Sequence, residues 1–264
     1  MKASHRLTRS WPLLAAALLP AHAHADAAYD AVLKCMHAQV PATLRVQAFT
    51  LTSVDRSGDE RRLGGRLFAD RKSGQLRVLM RLDEPASVKG AAYLIREFAG
   101  KAEDDMYVFL PGVGRVRHIT GSFANGSLLG TDFSYAEAKL IRNGYTGANG
   151  RLEGEAEIDG RKVQQLSIRQ TASAASPYST IKVWVEPTSC VAVKAEFYEG
   201  EKLRKRLRTP PASLAQSDGH WYPALLEMED FTSGTRTTLR AGRYQTDAKP
   251  NEGMFDPQRF HRGG

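Results

Sequence analysis

The chain has 264 residues, of which 42% are hydrophobic and 25% are charged, and its formal net charge at pH 7 is +8. Its basic residues are spread along the sequence, and no apolar stretch reaches the roughly 20 residues that a membrane-spanning helix needs. Composition therefore argues against an integral helical membrane protein and favours a soluble chain. The length fits one large β-rich domain or two small ones, and we expect one domain because the sequence shows no linker, low-complexity tract or repeat.

Residues 1–25 have the three parts of a secretion signal. A basic start is followed by the apolar run 11–20 and by small residues at alternate positions of 21–25. We expect cleavage after Ala25, or after Ala23 as a second choice, which leaves 26–264 as the mature domain. An uncleaved anchor is the alternative. No cysteine follows the apolar run, so a lipid anchor is not expected. The predicted location is the bacterial periplasm, where nucleic acid is not an expected partner.

The two cysteines of the chain are Cys35 and Cys190. An even pair in an oxidising compartment favours a disulfide. That bond would close a loop of about 155 residues and add about 4–5 kcal/mol of stability in the chain-entropy model. Two buried free thiols are the alternative interpretation.

The first predicted element of the mature chain is a helix over residues 27–38, because apolar side chains recur there at helical spacing. The pattern then changes to a period of two, with glycine-, aspartate- and serine-rich turns, which predicts an antiparallel meander of about eleven or twelve strands. One hairpin is expected to turn at Asp159-Gly160. The dense basic run 202–208 is interpreted either as a solvated strand face or as a surface for an acidic partner.

Residues 112–149 interrupt this alternation and are rich in glycine. A capping-box pattern from Ser134 to Glu137 predicts a short helix within a long loop. Loops of this length usually have a function, so we expect a lid or a docking loop. A rigid loop whose helix plugs the core is the alternative.

The predicted strands far outnumber the predicted helices, so the sheet must hide its apolar face by bending. The fold class that follows is mainly β with α: a strongly curved antiparallel sheet forming an incomplete, open β-barrel covered by helices, with an apolar cavity at its centre.

No catalytic or metal-binding pattern stands out. The histidines beyond the signal are isolated and lack metal-ligand spacing, and Asp132 beside a helix start is interpreted as structural. The sequence contains no nucleophile elbow, phosphate loop or dinucleotide fingerprint. We therefore expect a protein that is not an enzyme, with no metal and no cofactor.

Three stretches resemble a known family. Residues 105–119 join a strand to a basic stretch, 130–135 read Gly-Thr-Asp-Phe-Ser-Tyr, and the third stretch lies within 185–198 and 221–229. Together they are similar to the outer-membrane lipoprotein-sorting proteins of the LolA-like superfamily. The chain departs from that pattern at His118, where arginine is common, and at Thr131, where serine is common. It has no lipobox, and in this respect it resembles the soluble carriers of the family and not the anchored receptors.

The resemblance implies an open barrel with a helical lid that carries lipidated or lipid-like cargo between envelope membranes. It also implies transient membrane contact and a possible inner-membrane efflux-type transporter as partner. No catalysis is required, because the carrier only has to shield an acyl chain whose exposure costs about 0.8 kcal/mol per CH₂.

The candidate ligand-binding residues come from the apolar faces of the predicted strands, and for each of them ordinary core packing is the alternative. The proposed cavity lining is Val78, Met80, Leu82, Tyr107, Phe109, Leu110, Val183, Val185, Phe197, Leu226 and Met228. The proposed apolar side of the lid is Phe123, Leu128, Leu129 and Phe133.

Two functions are consistent with these features. The first is a periplasmic carrier or chaperone that binds lipidated or hydrophobic cargo in the cavity. The second is a non-carrier partner of a membrane transporter or envelope assembly, whose cavity is filled by its own side chains.

Overall fold

The computed structural model describes residues 22–97, 105–145, 149–170, 176–246, 251 and 253–262, with side chains described from residue 27 onward. The predicted signal segment lies outside these residues, apart from 22–25, whose backbone begins the first helix.

The described ranges contain two α-helices and fifteen β-strands. The helices are α1 (His22–His37) and α2 (Tyr135–Arg142). The strands are β1 (Arg45–Val54), β2 (Glu60–Lys72), β3 (Gln75–Glu84), β4 (Ala92–Arg96), β5 (Asp105–Leu110), β6 (Arg115–Ile119), β7 (Gly150–Ile158), β8 (Arg161–Arg169), β9 (Thr180–Glu186), β10 (Val191–Glu199), β11 (Lys202–Arg208), β12 (Leu214–Ser217), β13 (His220–Pro223), β14 (Leu225–Asp230) and β15 (Thr235–Thr246). Both predicted helices are confirmed, and the fold is mainly β.

Thirteen of the strands form one antiparallel sheet in the order β6-β5-β4-β3-β2-β1-β15-β14-β11-β10-β9-β8-β7. The two end strands, β6 and β7, pair with β5 and β8 and not with each other. The sheet is therefore open, as predicted. Strands β12 and β13 form a separate hairpin.

The sheet is strongly curved, as contacts of the two helices show. Tyr29 of α1 packs directly on Gly150 of β7. Eight residues later, His37 Nε2 donates to the carbonyl of Asn143, and the Asn143 side chain accepts from Arg71 of β2. Strands β2 and β7 are eight positions apart, about 38 Å in a flat sheet, whereas eight helical residues advance about 12 Å. The sheet must curl for one helix to bridge this separation.

The two faces of the sheet have different partners. The concave face contributes to the main core, which also contains residues of α1, α2 and the loop before α2. The opposite face carries a smaller apolar cluster around Leu79 and Leu94, which is joined by Phe255 and Phe260 of the C-terminal segment. Arg81 holds that segment by donating from Nη2 to the carbonyl of Phe260 at 2.6 Å.

The prediction of a loop over residues 112–149 is wrong for the first part of that range. Residues Arg115–Ile119 form β6, which pairs with β5 through contacts such as Met106↔Ile119. The tight connection between the two strands uses Gly114 at φ +68°, a conformation that glycine adopts without strain. The glycines that suggested an unstructured loop therefore include those of a hairpin turn. The predicted hairpin at Asp159-Gly160 is confirmed, since Ile158 pairs with Arg161.

Candidate functional site

An apolar cavity lies between the concave face of the sheet and the chain from residue 120 to 145, called here the cap segment. Its walls come from β1 to β4, β14 and β15 on one side and from the cap segment on the other. The lining consists of Leu51, Leu67, Val78, Met80, Tyr93, Ile95, Leu128, Phe133, Ala138, Ile141, Arg142, Leu226 and Leu239. The cavity volume is about 30 Å³, which is room for about one water molecule. The cap segment and the strands facing it thus leave little empty space between them.

The cap segment is organised by the start of α2. Ser134 Oγ accepts from the backbone N–H of Glu137 at 3.0 Å, and Glu137 Oε2 accepts from the N–H of Ser134 at 2.7 Å. This is the capping box that the sequence predicted, and it satisfies two donors that a helix start otherwise leaves unpaired. The helix is also tied to the sheet, because the hydroxyl of Tyr93 in β4 donates to the carbonyl of Tyr135 at 2.9 Å.

A buried polar network fixes the same helix to β11. Lys205 Nζ lies 3.1 Å from Glu137 Oε1, and the two side chains are only 12% and 1% exposed. The Tyr178 hydroxyl donates to the same carboxylate. Burial raises the pKa of Tyr178 and the neighbouring Glu137 raises it further, so the phenol stays protonated and remains a donor. We call Glu137, Tyr178 and Lys205 the Glu137 network.

Asp132 forms a second tie between the cap segment and the sheet. Its carboxylate accepts from the hydroxyls of Thr235 and Thr237 in β15, and its carbonyl accepts from Lys205 Nζ at 2.7 Å. Thr237 in turn contacts Ser53 of β1 at 2.9 Å. The partners of Asp132 are therefore hydroxyl and ammonium groups that position the loop, in agreement with the structural role expected for it.

The disulfide between Cys35 and Cys190 is confirmed, with a Cα–Cα distance of 5.6 Å. It connects the last turn of α1 to the turn between β9 and β10. Since α1 also contacts Gly150 and Asn143, the bond helps to hold this helix against β7 and the cap segment.

The predicted lining residues occupy three kinds of position. Three of them, Val78, Met80 and Leu226, line the cavity. Others are buried in the main core behind it: Leu82, Val183, Val185, Phe197 and Met228. Leu110 is partly buried and packs against the same core.

Tyr107 and Phe109 lie on the opposite face of the sheet. They pair with Leu94 and Ala92, and both pack against the cluster formed with the C-terminal segment. Along β5 the side chain that points to the main core is Val108, which lies between them. The prediction that these two aromatic residues line the cavity is therefore wrong. Both faces of β5 are apolar, so the sequence of this strand does not show which face points to the cavity.

The four predicted lid residues all belong to the cap segment, but they differ in burial. Leu128 and Phe133 are buried and line the cavity. Leu129 is partly buried against the core, and Phe123 is 43% exposed, with its ring 5.9 Å from that of Tyr135.

Sequence reasoning missed the Glu137 network. Glu137 was recognised only as a capping residue, and Lys205 was one of several cations in the basic run 202–208. Strand alternation predicts that Lys205 and Leu207 share one face of the strand. No sequence pattern near Lys205, however, shows that it faces a buried carboxylate 68 positions earlier in the chain. No sequence pattern pointed to Tyr178.

Among the described residues no group of three or more His, Cys, Asp or Glu side chains could hold a metal ion. None of the helices in the described ranges is long and apolar enough to cross a membrane.

A family model whose description reads "Uncharacterized protein" matches residues 74–262, more than two thirds of the chain. No curated protein matches the sequence.

Several solved structures share the fold. One is a DUF1329 family protein from Desulfovibrio piger ATCC 29098, with a TM-score of 0.78 and 23% identity over 88% of this chain and 97% of that one. Another is a domain assigned as an outer membrane lipoprotein-sorting protein from Vibrio parahaemolyticus, with a TM-score of 0.75 and 20% identity over 88% and 97%. A third is a LolA superfamily protein from Nitrosomonas europaea, with a TM-score of 0.65 and 19% identity over 85% and 96%.

Proposed function

This chain belongs to the family of uncharacterized proteins whose model matches residues 74–262, and its fold is that of the LolA-like superfamily; from that premise we propose that it is a periplasmic carrier of lipidated or hydrophobic cargo. The resemblance seen in the sequence is confirmed at the level of the fold. The carrier role goes beyond that likeness, and its support comes from the cavity.

The observation that carries the proposal is the composition of the cavity wall. Its sheet side is built from aliphatic and aromatic side chains such as Leu51, Met80 and Leu239, and its cap side from Leu128 and Phe133. A wall of this kind favours an acyl chain over water by about 25 cal/mol per Å² of apolar surface removed from water. No reactive group is needed, and we propose a non-enzymatic role.

Entry of cargo requires the cap segment to move, because about 30 Å³ cannot hold an acyl chain. Moving Leu128, Phe133 and α2 away from the sheet would convert the space they fill into a binding site. In this proposal the helices cover the open barrel as a lid, and bound cargo replaces the contacts that the lid makes in the closed state.

The small cavity volume is also the one observation that favours a second candidate. A non-carrier envelope partner would keep the cap segment packed permanently and would use its outer surface to contact protein. The compared structures and the described contacts give no support to an efflux-type transporter, which we leave out of the proposal. The periplasmic location is supported by the predicted signal and by the disulfide, which is expected in an oxidising compartment.

Native mass spectrometry of protein purified from its own periplasm separates the two candidates. The carrier should retain co-purifying acyl species that solvent extraction releases. A clean mass of the polypeptide alone, together with no binding of an environment-sensitive fatty-acid probe, would reject the carrier in favour of the envelope partner.

A variant pair tests the cavity itself. Leu239→Glu places a carboxylate in the apolar wall, where an unpaired charge is strongly unfavourable, so affinity for the fatty-acid probe should fall at least about tenfold, since 1.4 kcal/mol corresponds to that factor. Arg240→Glu puts the same carboxylate on the solvent side of the same strand and should leave probe affinity unchanged. Circular dichroism verifies that both variants fold. Ala138→Leu narrows the cavity without introducing a charge and should also weaken binding of the probe.

A further inference from the structure

A second, polar pocket lies at one end of the same concave face. Its volume is about 510 Å³, it is open to solvent, and it is bordered by the cap segment, β11 and the turn between β14 and β15. Ser127, Asp132 and Ser134 of the cap segment line it, whereas Leu128 and Phe133 of that segment line the apolar cavity. One short stretch of chain therefore forms a wall of both spaces.

The strands beneath connect the two spaces. In β14 the concave face carries Leu226, Met228 and then Asp230, and in β15 the paired positions are Leu239, Thr237 and Thr235. Leu226 and Asp230 are four positions apart, about 14 Å along a strand. The apolar cavity and the polar pocket thus follow one another along the same two strands, with their lining residues separated by about the length of a medium acyl chain.

The charged groups of the polar pocket are of both signs. The ammonium group of Lys205 already contacts the carbonyl of Asp132 and the carboxylate of Glu137. Arg204 is held more loosely, with Nε 3.7 Å from Asp230 and Nη1 4.0 Å from Glu199. At those distances it makes no hydrogen bond in the described structure, so its donors are available to an anion. Glu199 is 58% exposed in its side chain and can accept from a cation.

Arg204 reaches this pocket because of an irregularity in strand pairing. The register between β10 and β11 shifts between Phe197 and Tyr198, which leaves Arg204 without a direct partner. A bulge of this kind re-aims a side chain, and Arg204 lines the same pocket as its neighbour Lys205 although strict alternation would place them on opposite faces.

We propose that this polar pocket is a headgroup site, and that it takes the zwitterionic head of an acyl lipid, of the phosphoethanolamine type, whose chain enters the apolar cavity. The anionic phosphate lies at Arg204 and the ammonium group at Glu199. A purely anionic head fits less well, because the pocket presents the carboxylates of Asp132, Glu199 and Asp230 against two cations. This inference rests on the proposed carrier function and adds the class and orientation of its cargo.

The test is competition of single-chain lipids against an environment-sensitive fatty-acid probe on the full mature chain. The ligands share one acyl chain and carry phosphoethanolamine, phosphoglycerol or uncharged glycerol heads, and soluble phosphoethanolamine is the fourth arm. The phosphoethanolamine lipid should bind about tenfold more tightly than the other two lipids, since a charge-assisted hydrogen bond is at stake. Soluble phosphoethanolamine should compete only at far higher concentration.

Arg204→Met and Glu199→Gln should each remove that preference while leaving affinity for the uncharged lipid unchanged. The matched controls are Arg236→Met and Glu229→Gln, an exposed pair on the neighbouring strands β15 and β14, which should preserve it. Equal binding of all three lipids or tighter binding of the phosphoglycerol lipid would overturn the headgroup site but not the carrier. Tight binding of soluble phosphoethanolamine would overturn the assignment of this site to a lipid, because the acyl chain would then contribute nothing. Failure of every acyl ligand to compete would reject the carrier function itself.

Discussion

Lys205 occupies a position where a cation would be unfavourable without its partner. It is almost fully buried beneath the cap segment, and the carboxylate that compensates it belongs to the first turn of α2. A buried pair adds little stability beyond an apolar pair of similar size, but removal of one member leaves an uncompensated charge. The Glu137 network therefore acts mainly by fixing α2 in one specific position against β11.

Lys205→Met should be strongly destabilising for this reason. It leaves the Glu137 carboxylate buried with Tyr178 but without a cation, and we expect a loss of about 3–5 kcal/mol in the free energy of unfolding measured in urea. The double variant Glu137→Gln/Lys205→Met should lose clearly less, because it removes both charges and glutamine still supports a capping box.

The exposed pair Arg66–Asp83 is the control for that prediction. Their side chains are 49% and 38% exposed, so Arg66→Ala should cost about 1 kcal/mol or less. A Lys205→Met loss as small as that of Arg66→Ala, or a double variant less stable than Lys205→Met, would contradict the role assigned to the buried pair.

At the level of elements, α1 is held to the sheet by side chains from distant parts of the chain. Tyr29 packs on β7, and Cys35 is bonded to the turn before β10. A helix of this length has little stability of its own in water, so these connections hold it against the sheet.

Loss of the disulfide should therefore destabilise the whole fold. Cys35→Ser/Cys190→Ser should lower the free energy of unfolding by about 4–5 kcal/mol in the chain-entropy model, since the closed loop is long. Urea unfolding of the double variant and of reduced wild-type protein should agree, because both lack the same constraint. Peptide mapping of the unreduced native protein should show the cross-linked pair, and alkylation of both thiols there would disprove it.

Helices, strands and turns were predictable from the sequence where a local pattern determines them. They were less predictable where the pairing with a neighbouring strand determines the register. The capping box at Ser134 and the turn at Asp159-Gly160 are encoded within four residues. In β10, by contrast, the register shifts between Ala192 and Lys194, so Val193 joins Trp184 on the outer face while Ala195 and Phe197 face the core. Such a bulge depends on the neighbouring strand, and alternation along one strand cannot reveal it.

For the molecule as a whole, the sequence predicted an open, mainly β fold with an apolar interior, because strands this numerous must bend to bury one face. It could not predict how much of that interior stays empty. The volume of about 30 Å³ results from the fit of Leu128 and Phe133 of the cap segment against side chains of six strands. Whether the molecule carries cargo depends on the free energy needed to undo that fit.

Hydrogen exchange measures this free energy directly. If the cap segment is a lid, residues 120–134 and α2 should exchange faster than the central strands β1 and β15 in the absence of ligand, because their opening does not require global unfolding. Addition of a single-chain lipid should slow exchange in the cap segment and leave β1 and β15 unchanged. The Glu137→Gln/Lys205→Met variant should exchange faster in the same segment, since it lacks the ion pair that holds α2 to β11.

The Leu239→Glu variant provides the control for this experiment, because the lipid should protect its cap segment little or not at all if protection requires occupation of the cavity. A cap segment that exchanges as slowly as β1 and β15, with and without lipid, would mean that Leu128, Phe133 and α2 are permanent core. The closed cavity would then be the working state of the protein, and the envelope-partner candidate would replace the carrier.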